Sequence, residues 1–322
     1  HAIGRYGITS LLPAEVNLIS GPGCPVCVTD ISFIDKAVHL AEHDDIIVAT
    51  FGDMLRVPGS RTSLGAVRSR ERDVHVCYSP LEAVALAAGN RDRDVVFLGI
   101  GFETTAPSVA ASVLRAEAEE LENYSILCGH KTMPRAMRAL LEAGDVAING
   151  FICPGHVSTV TGVHIYDFIA EDFDVPCVVS GFEPVDILES IYLLVSQLDS
   201  GRAEVENQYT RSVREQGNVK AREMMQRVFT ASDTNWRGIG LIPGSGLSLR
   251  KGYERFDAEK KFKIEIPPVR EPDGCICGDV MRGKNTPQDC VLFGASCTPQ
   301  HPVGACMVSE EGACSAWYRY YK

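Results

Sequence analysis

Short runs of β-branched and aliphatic residues recur along most of the chain, each followed by a stretch in which apolar positions return at helical spacing. Residues 16–20, 46–50, 74–77, 95–100, 124–128, 147–152 and 176–180 read as strands. Between them, 33–42, 81–88, 107–122, 134–142 and 184–198 read as helices. The strands are short and apolar on both faces, as in a parallel sheet covered by helices. The pattern is α/β, with two doubly wound parallel-sheet domains that divide near Gly89-Asn90. Around Ala203 the alternation stops, and a polar, helix-prone stretch over 203–227 leads to Trp236 and a loop at 241–248. Beyond Pro267-Pro268 the chain is rich in Gly, Pro and Cys and poor in large apolar residues, so metal or disulfide cross-links are expected in place of a normal core. These boundaries give an α/β domain over 1–89, a second α/β domain with a helical linker over 90–235, and a small cysteine-rich C-terminal domain over 236–322.

A length of 322 residues with 45% hydrophobic and 23% charged positions suits that organisation and is globular in composition. Lys and Arg number 31 against 42 Asp and Glu, a net charge of −11 with no basic patch, which argues against nucleic acid and anionic membrane as partners. No apolar run reaches the roughly 18 residues of a membrane helix and no secretory signal opens the chain, so a cytoplasmic location is expected. In that reducing compartment, 12 cysteines point to metal or redox chemistry. Cys77, Cys128, Cys153 and Cys177 have mostly apolar neighbours and read as small buried hydrophobes.

Cys24, Cys27 and the chemistry-bearing residues outside the tail fall in loops that leave the carboxyl ends of predicted strands, where α/β sheets bind ligands. These loops are Gly21-Pro-Gly-Cys-Pro-Val-Cys27, Phe51-Gly-Asp53, Gly99-Ile-Gly-Phe-Glu-Thr-Thr105, Gly129-His-Lys-Thr132 and Cys153-Pro-Gly-His-Val-Ser-Thr159. Their shared rim predicts one cleft. Cys24 and Cys27, opening a helix, suit a reversible disulfide or a soft metal, since helix amides stabilise thiolate; the competing reading is half of a structural zinc site. Glu103 is a candidate acid, base or ligand orienter, with Thr104 or Thr105 capping the helix that follows. His130 and His156 are candidate rim residues, set against ordinary hydrogen-bonded histidines. Gly99-x-Gly101 lacks the third glycine of a dinucleotide fingerprint, and Pro243-Gly-Ser-Gly246 lacks the Gly-Lys-Ser/Thr ending of a phosphate loop. In the tail, Cys275, Cys277, Cys290, Cys297, Cys306 and Cys314 show no paired zinc knuckles. Four thiolates from such irregular loops suit an iron–sulfur cluster, leaving two for a redox-active pair; a structural zinc or disulfide knot is the alternative.

Taken together, Gly21-Pro-Gly-Cys-Pro-Val-Cys27, Gly101-Phe-Glu-Thr-Thr105, Pro154-Gly-His-Val-Ser158 and the tail, with Cys275-Ile-Cys-Gly-Asp-Val-Met-Arg-Gly283, Cys290, Cys297-Thr-Pro, Gly304-Ala-Cys-Met-Val-Ser309 and Glu311-Gly-Ala-Cys314, resemble the HypD family of hydrogenase maturation factors over essentially the whole chain. The resemblance implies a scaffold, rather than a conventional metabolic enzyme, that assembles and transfers the Fe(CN)2CO moiety of [NiFe] hydrogenase. It implies HypC, a small chaperone, and HypE, which delivers cyanide made with HypF, as partners, and a resident [4Fe-4S] cluster in the C-terminal domain. Carried over, Cys24 and Cys27 are the thiol pair that holds the iron, Glu103, His156 and His130 line its cleft, and the six tail cysteines supply the cluster and an adjacent redox pair. The family also has a Cys-Gly-x-His-x-His motif, of which His1 matches the last histidine; its cysteine, an iron ligand, falls before the first residue, so this chain is expected to be impaired in holding the iron. A stand-alone iron–sulfur thiol–disulfide oxidoreductase and a structural zinc binding module are the alternatives.

Overall fold

The computed structural model describes residues 1–321. Strands β1 (Ile46–Thr50), β2 (Val74–Val76), β3 (Asp94–Gly99) and β4 (Tyr124–Cys128) pair in parallel in the order β2-β1-β3-β4. Alternate residues of these strands enter two separate cores. Val48, Val96 and Leu98 join the helix Ile31–Ala41 on one face, while Ile47, Ala49, Val95 and Phe97 join the helices Pro80–Gly89 and Ala106–Ala118 on the other. A strand buried on both sides needs apolar residues on both faces, which the central positions of β1 and β3 supply. A second parallel sheet contains β5 (Phe151–Pro154), β6 (Cys177–Ser180) and β7 (Val205–Asn207). The antiparallel hairpin of β8 (Phe229–Trp236) and β9 (Gly240–Leu249) follows. No helix among the described residues is long and apolar enough to cross a membrane.

Several expectations are corrected. Residues 16–20 join no sheet; Val16 and Leu18 instead pack toward the helix Pro184–Asp199 with Ile8, Ile187 and Ile191. The strand expected from residue 147 begins at Phe151, after Gly150 has passed within reach of Leu194 and Pro176. The Gly89-Asn90 division falls inside one sheet, because β3 pairs directly with β1. There the Asn123 amide lies 2.9 Å from the carbonyl oxygens of Ala87, Asn90 and Arg93 and ties the turn to the sheet. The change of sheet comes between β4 and β5. Alternation also continues past Ala203, since β7 completes the second sheet before the helix Val219–Val228. The loop expected at 241–248 is strand: the Pro243-Gly244 interruption is absorbed at a register shift, where Gly244 N donates to Asp233 Oδ1 at 2.9 Å.

The cysteine-rich tail packs on this body. Its Met281, Cys297, Ala305, Cys306, Met307 and Cys314 are buried in the same core as Cys24, Cys27 and Trp236. Cys77, Cys153 and Cys177 are buried, as apolar neighbours predicted, and Cys128 is partly so.

Candidate metal centre

The Cys-x-x-Cys loop is a series of turns, and Cys24 and Cys27 form a disulfide with Cα atoms 5.3 Å apart. The helix does not open at these cysteines. Asp30 accepts from Ser32 N at 3.0 Å and so fixes the helix start at Ile31. Amide donation to sulfur comes from the turn itself, with Cys27 N lying 3.3 Å from Cys24 Sγ. Thr29 Oγ1 donates to Pro25 O at 2.8 Å and closes the loop.

The β8–β9 hairpin straps this loop from outside. Thr29 bridges to Trp236, and Arg237 N donates to Val28 O at 2.9 Å. Trp236 is buried, stacks on Phe102 at 5.9 Å and donates from Nε1 to Ser245 Oγ at 2.8 Å. Lys131, also buried, donates from Nζ to Asn235 O at 2.6 Å and lies 5.6 Å from the Trp236 ring. Burial lowers its pKa to about 8.

Five of the six tail cysteines line one small cleft, and Cys306 packs beside it. The sulfurs of Cys277, Cys306 and Cys314 lie within 4.8 Å of one another, and Cys275 Sγ donates to Cys277 Sγ at 3.3 Å. Cys290 and Cys297 line the same cleft; Val303 N donates to Cys297 Sγ at 3.4 Å, and Cys290 Sγ donates to Gly274 O at 3.6 Å. Hydrogen bonds from Cys277 and Cys306 bring Cys314 down to about 5, and those from Cys275 and Cys306 lower Cys277. Thiolate, the state that binds metal, is therefore favoured at Cys277 and Cys314, while Cys275 and Cys306, which hold the shared protons, and the buried Cys297 are pushed up. Gly304 makes room for it: a Cβ there would stand 2.5 Å from Cys277 Sγ and 2.8 Å from Cys275 Sγ. Soft donors packed this closely fit a metal centre.

Gly312 brings the two sulfur groups together. It precedes the helix Ala313–Tyr320, which carries Cys314, and a Cβ on it would collide with Cys306 O and stand 3.0 Å from Cys27 Sγ. His1 packs edge-on against Tyr320 of that helix, with Nδ1 3.3 Å from Glu310 O.

Glu103 is buried at the start of the helix Met133–Ala143, where Oε1 accepts from Met133 N at 3.0 Å and Oε2 has no hydrogen-bond partner among the described residues. Desolvation raises its pKa to about 7, outweighing that hydrogen bond. Phe102 and Val157, from the Gly101–Thr105 and Pro154–Ser158 motifs, are buried in one core with Tyr166, whose hydroxyl lies 3.2 Å from Ser158 Oγ. Thr105 does not cap by its side chain; Oγ1 turns back to Ile100 O at 3.1 Å.

The two candidate histidines occupy different settings. His130 is buried against Phe229, neither ring nitrogen has a partner among the described residues, and burial lowers its pKa to about 3, so it is neutral. His156 is exposed at the end of the second sheet, stacked on Phe182 at 4.0 Å. Lys131, Trp236, Arg237, Gly304 and Gly312 were not among the sequence candidates. Lys131 had a signal, since it sits in the Gly129-His-Lys-Thr132 loop; the others became visible only through the hairpin and the tail packing.

A family profile named HypD and described as the Hydrogenase formation hypA family matches residues 1–321. A protein of Azotobacter vinelandii named Hydrogenase maturation factor HypD is 48% identical over 327 residues, covering 99% of this chain and 86% of that relative. The Azotobacter chroococcum mcd 1 protein named Hydrogenase expression/formation protein HupD is 48% identical over the same shares, and the Escherichia coli K12 Hydrogenase maturation factor HypD is 46% identical over 321 residues.

Proposed function

The chain belongs to the HypD family of hydrogenase maturation factors, and on that premise we propose that it is the scaffold on which the Fe(CN)2CO moiety of [NiFe] hydrogenase is assembled and from which it is transferred. HypC is the chaperone that shares this iron, and HypE, acting with HypF, is the cyanide donor. The observation that carries the reading is the contact at Gly312, where Cys27 Sγ and the Cys306 carbonyl both crowd the space that a Cβ on this one glycine would take. A thiol pair and a cluster of metal-binding thiols at such close quarters suit a site that must both hold iron and change its own oxidation state.

Opening the Cys24–Cys27 disulfide takes two electrons and two protons and yields two thiols. Their thiolates are the soft donors that bind the iron substrate. Four of Cys275, Cys277, Cys290, Cys297, Cys306 and Cys314 hold the resident [4Fe-4S] cluster, which when bound supplies single electrons at low potential. The other two form the adjacent redox pair. Glu103, with its pKa raised to about 7, takes up or releases a proton near neutral pH and lines the cleft with His156 and His130. The short, strapped loop restrains the two thiols after reduction, so that both remain directed at one metal.

An infrared spectrum of the full-length protein, purified anaerobically after co-expression with its chaperone partner, tests this. Cyanide and carbonyl stretches are expected, and Cys24→Ser or Cys27→Ser should abolish both. A blank spectrum from iron-loaded protein would overturn the scaffold reading and favour the stand-alone thiol–disulfide oxidoreductase that the disulfide itself also suits.

A further inference from the structure

We infer that Arg237 is the charge partner of the tail metal centre, a positioning residue that sets how readily that centre is reduced; this rests on the reading of the tail cysteines as cluster ligands. Arg237 sits in the turn of the β8–β9 hairpin with its side chain 2% exposed. A guanidinium cannot shed its proton, so its burial calls for a compensating anion. The carboxylate near it is Glu271, 3.8 Å from Nε and 56% exposed, a partner largely screened by water. Nη1 donates to Pro58 O at 3.2 Å, a neutral acceptor. Nη2 is buried with no hydrogen-bond partner among the described residues.

The backbone fixes where this charge sits. Arg237 N is bonded to Val28 O, next to Cys27. The following residue, Gly238, lies against Gly278 so closely that a Cβ on Gly278 would collide with Gly238 O. Gly278 directly follows Cys277, so the hairpin turn spans from the Cys24–Cys27 loop to the first tail cysteines. Two cations of the tail itself are already matched: Arg282 pairs with Asp279 at 2.8 Å and Arg319 with Glu310 at 2.6 Å. The unmatched cation therefore finds its anion in the thiolates of the tail. Because four thiolates around a cluster leave a net negative charge that grows on reduction, a fixed buried cation beside them favours the reduced form.

The test is a redox titration, followed by electron paramagnetic resonance, of the anaerobically purified full chain and its variants. Arg237→Gln is expected to disfavour reduction at least tenfold, a fall of about 59 mV for a one-electron couple. Arg237→Lys, which keeps the charge, should stay within about threefold of the parent, and so should Arg282→Gln, which removes a cation already paired at the surface. A cluster that assembles in Arg237→Gln with an unmoved potential overturns the inference. If Arg237→Gln does not fold, Glu271→Gln decides: removing the exposed carboxylate leaves Arg237 less neutralised and should ease reduction about twofold, and no rise would overturn the inference. A purified protein that holds zinc and no reducible cluster would instead overturn the reading on which this rests.

Discussion

Glu103 shows how a single buried group ties stability to pH. Its carboxyl has one hydrogen bond to a helix amide and one oxygen with no partner among the described residues, so desolvation wins and the folded-state pKa rises from 4.5 to about 7. Below pH 4.5 folded and unfolded forms both carry the proton, and the stability associated with the neutral carboxyl is fully present. Between 4.5 and about 7 the unfolded chain ionises while the folded chain resists, so that stability is lost as pH rises, with nothing further lost above the folded pKa. The total is on the order of 3 kcal/mol. Glu103→Gln removes this dependence. Chemical denaturation of both proteins at pH 5 and pH 8 should therefore show the variant gaining on the parent at the higher pH by an amount of that order, and a difference independent of pH would rule out the assigned ionisation. Glu103 was legible as a candidate because it stands in a glycine-bounded loop after a strand. Its orphan oxygen was not, because that depends on the helix starting at Met133, brought up from another part of the chain.

At the scale of elements, the sequence was clearest where burial is complete. Strands β1, β3 and β4 announce themselves because most of their positions are apolar and enter one of two cores. Residues 16–20 carry the same β-branched signal and yet form no strand, since an apolar run can satisfy itself against a helix as well as in a sheet. Strand β9 hid for the opposite reason: Pro243 and Gly244 read as a loop until a register shift accommodates them. The site suffered most from missing the hairpin, whose turn brings Trp236 and Arg237 between the Cys24–Cys27 loop and the tail. Packing of the helix Ala313–Tyr320 completes the site and depends on Gly312. Gly312→Ala places a methyl group against the Cys306 carbonyl and Cys27 Sγ, and neither the backbone nor a disulfide sulfur yields cheaply. Loss of about 1–3 kcal/mol of stability is expected, the range for overpacking a well-filled core. Denaturant midpoints read that loss, and metal analysis should show lower occupancy of the tail, since Cys314 moves with the helix. An unchanged midpoint would mean that the helix is not held this tightly against the loop.

For the whole molecule, the question is whether the tail is an attachment or a part of the core. Composition suggested a small cross-linked unit, because residues after Pro268 offer few large side chains. The packing instead merges Met281, Cys306, Met307 and Cys314 with Cys24, Cys27, Leu98 and Trp236 in one cluster. The chain's first helix, Ala2–Arg5, also packs on the last, Ala313–Tyr320. Holding several thiolates together without a metal is unfavourable, because like charges accumulate as Cys277 and Cys314 ionise. Metal binding removes that repulsion and adds its own binding free energy to the folded state. Since the tail shares its core with the body, that free energy stabilises more than the tail. Stripping the metal with a chelator under anaerobic conditions should lower the melting temperature of the whole chain. Hydrogen exchange should then speed up in Ala313–Tyr320, in Ala2–Arg5 and at the hairpin turn, as well as between Cys275 and Cys314. Faster exchange confined to residues 275–314 would show the tail to be energetically separate, and the shared core would then be a contact without coupling.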